Sequence, residues 1–228
     1  VVRRCAGHLA GLRDGLLELP LGGTAIGTGL GAAPGYRERV LWRLSESLGV
    51  TTRAPADPVD AMQNLDDAAR LSAELRTAAN ALWKIASDLI VLSSGPRGGI
   101  GEIVLPEVQA GSSIMPGKIN PVIPMTVCQV AFAVTGNDAA IALATQQGLL
   151  EINHYGPLVG VRLLDSLRLV AAACLLFRER CIDGLTADAD VSLAHLLASS
   201  AVSTALVPRL GYGRVSELVR RTAPSWTM

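Results

Sequence analysis

The sequence predicts an all-α protein, an elongated bundle of long helices with a small helical domain at its C-terminal end. Three observations carry that expectation. Half of the 228 residues are apolar, mostly Leu, Ala and Val, and only 4% are aromatic; small aliphatic side chains suit close-packed helices better than the faces of a β-sandwich. Apolar positions recur at three- and four-residue intervals over long stretches. Almost no segment has the alternating pattern of a strand.

The elements follow in order. Residues 3–19 read as a helix, with Leu9, Leu12, Leu16 and Leu17 at helical spacing. Residues 20–30, PLGGTAIGTGL, hold four glycines and read as a loop. No strand precedes it, so close backbone approach and left-handed turns explain these glycines better than dinucleotide binding. Tyr36–Leu48 is a short amphipathic helix ended by Gly49. From Asp57 to Leu92 runs one long pattern, opened by an Asp-Pro N-cap and carrying Met62, Leu65, Leu75, Leu82, Ile85 and Leu89. At about 1.5 Å per residue it spans on the order of 50 Å. Residues 93–113 form a loop rich in Gly and Pro. A second long helix is expected from Asn120 to about Leu150 and a third from Pro157 to Cys181. Smaller helices are expected over 189–206 and 214–222. The domain boundary falls between 184 and 185, with 1–184 as the long-helix bundle and 185–228 as the small C-terminal domain.

Composition narrows the function. Lys plus Arg and Asp plus Glu number 20 each. There is no basic excess to hold nucleic acid. A neutral, apolar chain is expected to associate. Cys5, Cys128, Cys174 and Cys181 form no C-x-x-C pair and read as free thiols of a reducing compartment. No metal set is suggested by His or Cys spacing. The first residues, VVRRCAGHLAGLRDGLL, lack the apolar core and cleavage site of a signal peptide, and a cytoplasmic location is expected. Residues 119–137 carry no charge, nearly the length of a membrane span. Asn120, Pro121, Pro124, Gln129 and Asn137 interrupt that run, so a helix inside a protein bundle is the expectation, with no membrane.

One stretch fits neither helix nor strand. Residues 111–121, GSSIMPGKINP, combine two glycines, two prolines, two adjacent serines and a lysine. Asn120-Pro121 can be explained as a cap and first turn of the following helix. That leaves Ser112, Ser113 and Lys118 unexplained. Loop N–H groups, a helix N-terminus and the Lys118 charge together suit a carboxylate.

GSSIMPGKINP resembles the G-S-S-x-M-P-x-K-x-N signature of the aspartase/fumarase superfamily. LGGTAIGTGL (21–30), SSGPRGGIGEIVLPEVQAGSS (93–113), TGND (135–138), EIN…P (151–157) and CIDGLTA (181–187) resemble aspartate ammonia-lyases and class II fumarases in the same order. Leu105–Ala110 leans towards aspartases. The resemblance implies the central helical domain of that fold and a lyase that removes a proton next to a carboxylate. An aci-carboxylate then expels ammonia, an amine or water, giving fumarate. It implies Ser112 as general base, acting as an alkoxide that the site must stabilise strongly. Lys118 and Asn120 would hold the substrate carboxylate. Ser113 and Met115 would shape the pocket, and Gly111 and Gly117 would act as hinges of a closing loop. It further implies a small dicarboxylate substrate, no cofactor, and a homotetramer with shared active sites.

Two departures stand beside the match. Family members usually read N-P-x-x-x-E after the signature, the glutamate orienting a histidine; here the position is Met125. The upstream Thr-His motif, and a Ser/Thr-rich motif before it, do not occur, so the resemblance covers about half of a family member. A catalytically impaired relative, serving as a helical oligomerisation module, is the alternative. Of the three histidines, His8 and His195 read as surface or packing residues. His154, near a turn between long helices, is a possible site residue, as is Arg97 in the Ser94–Arg97 segment.

Overall fold

The computed structural model describes residues 1–95 and 97–222. The divergent tail Ser225-Trp226-Thr227-Met228 lies outside the described residues. Among the described residues the protein is all-α apart from one two-stranded ladder and two isolated bridges. It divides into two compact units, 1–88 with 122–181, and 89–121 with 182–228. This differs from a single boundary at 184/185. The serine-bearing segment clusters with the C-terminal residues because it pairs with them through backbone hydrogen bonds.

The first unit is built on long helices. Helix α1 covers Val2–Gly11 and ends short of the expected residue 19, a 3-10 turn at Gly15–Leu17 following instead. Helix α2 (Tyr36–Leu48) stops at Gly49, whose φ of 65° is the left-handed C-terminal stop that glycine adopts without a Cβ penalty. The expected 57–92 helix is broken in two. Asp57 caps α3 (Pro58–Gln63) through the N–H groups of Val59 and Asp60. Asn64 then turns extended, at φ −100° and ψ 129°, and donates its side-chain amide to Asp60 Oδ1 at 2.6 Å. Helix α4 (Asp66–Leu92) resumes two residues later. The apolar period survives so short a break, which hides it in the sequence.

Helix α5 spans Val122–Thr145, and α6 spans Gly156–Arg180. The expected extension of α5 to Leu150 fails because Asn153 donates its amide to the carbonyls of Ala144 and Thr145, at 3.1 and 3.3 Å. Those are acceptors of the last turn; Ala144 also takes the Gln147 N–H at 3.4 Å, a tightened i to i+3 ending. Leu71, Leu75 and Ala79 of α4 pack on Ala131 and Val134 of α5 and Val170 of α6. A second cluster joins Ile141 and Ala144 to Val159. A polar layer interrupts this core. Asp138 accepts from Ser72 Oγ and Arg76 Nε, both at 2.6 Å, and Asn137 donates to Ser166 Oγ at 3.2 Å. By length and composition α5 could cross a membrane. Here one face of it packs against α4 and α6, while Met125, Phe132 and Leu143 on other faces are 42%, 63% and 65% exposed.

The second unit holds the short strands β1 (Ile103–Val104) and β2 (Thr186–Ala187), antiparallel with Ile103 opposite Ala187. Two residues each are too few for a legible alternation. Asp188 caps α7 (Ala189–Ala198) through the Val191 N–H. The helix expected to reach 206 ends at Ser199, which is extended and caps a 3-10 turn over Ser200–Leu206. Helices α8 (Val207–Leu210) and α9 (Tyr212–Thr222) complete it.

Candidate active site

Residues 111–120 fold back on themselves. The Gly111 N–H donates to the Lys118 carbonyl at 2.8 Å, and the Asn120 side-chain amide donates to the Gly111 carbonyl at 2.7 Å. Asn120 therefore does not cap α5, as sequence spacing suggested; its side chain closes the neck of the preceding loop. A Cβ at Gly111 would lie 2.4 Å from the Lys118 carbonyl oxygen and 3.0 Å from the Asn120 nitrogen, so only glycine allows this approach. Of the two expected hinges, Gly117 alone is left-handed and open, at φ +77° with nothing within 4 Å. Gly111 is held on both sides.

Inside the loop, Ser112 Oγ accepts from the backbone N–H groups of Ile114 and Met115, at 3.1 and 3.0 Å. Two donors already converge on the oxygen that would carry an alkoxide charge, the arrangement that favours an anion. Ser112 is half-buried, whereas Ser113, Met115 and Lys118 are exposed. Among the described residues the Lys118 ammonium makes no hydrogen bond or ion pair, so its charge is uncommitted. Asn120 keeps its carbonyl oxygen and one N–H beyond the neck bond. Arg97 belongs to the same unit and is exposed. His154 belongs to the long-helix unit, exposed in the turn before α6, with its ring 5.1 Å from that of Tyr155.

Beside the neck lies a cavity of about 390 Å³, with walls from Ile100, Ile103, Ile119 and Val191 and polar groups on Asn120 and Asp188. Its frame is hydrogen-bonded across the two segments of the unit. Glu102 donates its N–H to the Leu92 carbonyl at 3.0 Å and accepts the Asp188 N–H at 2.8 Å. The Glu102 carboxylate also meets His195 Nδ1 at 2.9 Å. His195, expected as a surface or packing residue, is thus one half of a carboxylate–imidazole pair. Sequence reasoning missed Glu102 because its partner lies 93 residues away. No group of three or more His, Cys, Asp or Glu among the described residues is placed to hold a metal ion.

The lyase family model matches residues 2–136, more than half of the chain. This chain belongs to the aspartase/fumarase lyase family. Aspartate ammonia-lyase of Pseudomonas aeruginosa is 44% identical over 212 residues, covering 92% of this chain and 44% of that protein. The class II fumarate hydratase of Pseudomonas putida is 40% identical over 204 residues, 90% of this chain and 44% of that one. Among solved structures, a fumarate lyase:delta crystallin protein of Brucella melitensis superposes with a TM-score of 0.91 at 42% identity, covering 98% of this chain and 48% of that one. This family member therefore spans a little under half the length of the relatives it matches.

Proposed function

We propose that this chain carries the serine loop of an aspartase-type active site and acts in β-elimination from a succinate-type substrate such as aspartate, giving fumarate. The observation that supports it most directly is Ser112, whose Oγ takes two backbone N–H donors within a loop closed at its neck. As an alkoxide, Ser112 takes the proton from the carbon next to the substrate's carboxylate. The electron pair moves into that carboxylate as an aci-carboxylate. It returns to form the double bond as the C–N bond breaks, and the substrate's ammonium group leaves as neutral ammonia. The uncommitted Lys118 ammonium meets the developing second negative charge. Ser113 and Met115, both exposed, shape the pocket around the substrate, and Asn120 contributes the polar groups left free by its neck bond. Residues 105–110, LPEVQA, lean towards aspartases and favour an amine over water as leaving group.

The same reading includes a cytoplasmic homotetramer with shared active sites. The exposed apolar residues Phe132 and Leu143 on α5 support burial against further copies. Light scattering at micromolar concentration should show an assembly larger than a monomer. A second reading is favoured by Met125, which has no carboxylate to orient a histidine: a catalytically impaired relative acting as a helical oligomerisation module.

The assay that separates them follows fumarate by its ultraviolet absorbance, with aspartate, malate or N-substituted aspartates as substrate. Fumarate formation is expected, and Ser112→Ala should lower the rate by about 10²-fold or more. Absence of fumarate with every substrate would leave the oligomerisation reading, and a Ser112→Ala protein at full rate would refute the base assignment.

A further inference from the structure

We propose that Asn120 is a positioning residue for Ser112, acting through the Gly111 carbonyl, in addition to any contact with substrate; this rests on Ser112 being the base. The neck consists of two bonds at one residue. Gly111 gives its N–H to the Lys118 carbonyl and receives the Asn120 amide on its own carbonyl, at 2.8 and 2.7 Å. Gly111 is covalently joined to Ser112, so its peptide planes set where the serine side chain starts. The two donors of Ser112 Oγ sit at Ile114 and Met115, two and three residues onward. Their alignment depends on the chain turning back within the closed loop. Of the two neck bonds only the Asn120 one comes from a side chain, so the sequence controls the closure at that residue. Lys118 enters the neck through its backbone alone.

Asn120→Asp is the informative change. It keeps the shape, replaces the donor with a carboxylate oxygen, and sets that oxygen against the Gly111 carbonyl. Two measurements on the full chain test it. Amide hydrogen exchange over residues 111–118 should quicken at least tenfold in Asn120→Asp, with α6 amides unchanged and with Lys118→Ala matching the unsubstituted loop. The rate at which a sulfonyl fluoride labels Ser112, followed against pH, should fall about tenfold, with its midpoint moved to higher pH, because the alkoxide loses aligned donors. Unchanged loop exchange in Asn120→Asp would overturn the proposal. A loosened loop with unchanged labelling would also overturn it, since the neck would then close the loop without placing Ser112. If Ser112 in the unsubstituted protein resists labelling at every pH while loop exchange still responds to Asn120→Asp, the base assignment fails. Asn120 is then a clasp of the loop only, and its positioning role is overturned.

Discussion

Replacing Asp138 by alanine should destabilise the long-helix unit by about 1–4 kcal/mol. The carboxylate accepts one hydrogen bond from Ser72 Oγ and one from Arg76 Nε, both at 2.6 Å. Its two partners differ in surroundings. Ser72 is 1% exposed, so in the variant its hydroxyl is left buried without its acceptor, which costs about 1–3 kcal/mol. The Arg76 side chain is 41% exposed and water can solvate it, so that arm contributes at most about 1 kcal/mol. Urea unfolding at fixed protein concentration reads the difference as a lower midpoint at unchanged slope. Asp138→Asn retains an acceptor for Ser72 and should lose less than half as much. The double change Ser72→Ala with Asp138→Ala should cost less than the two single changes summed, because they share one bond. An Asp138→Ala loss under about 0.5 kcal/mol, or strict additivity with Ser72→Ala, would refute the view that this layer is a coupled network.

Asn153→Ala removes the amide that holds the Ala144 and Thr145 carbonyls. It should lower stability by about 1–2 kcal/mol in thermal or urea unfolding and speed exchange in the last turn of α5. At Cys181 burial raises the thiol above its usual range, and the residue is 1% exposed. The thiolate forms more readily in the unfolded chain, so folding is disfavoured only as pH rises past the unfolded thiol value of about 8.5. Alkylation by iodoacetamide at pH 8 should therefore spare Cys181 in the native protein and reach it in urea. Native labelling at the unfolded rate would contradict that burial.

Much was decided by the sequence alone. The apolar period at three- and four-residue spacing marked α2, α4, α5 and α6 because helix faces are local: each residue's neighbours on the face are three or four positions away. The Asp57 cap was readable for the same reason, as it bonds N–H groups two and three residues on. Ser112 and Lys118 stood out because two serines and a lysine among glycines and prolines serve no helix or strand. The tertiary structure decided what depends on partners far along the chain. It turned Asn120 from a presumed helix cap into the closure of the loop neck, and ended α5 early through Asn153, reaching back eight and nine residues. It paired Glu102 with His195 across 93 residues, and joined β1 to β2 so that the serine segment belongs with the C-terminal unit. A hydrogen bond between distant residues leaves no periodic trace, because its geometry exists only once the chain between them has folded.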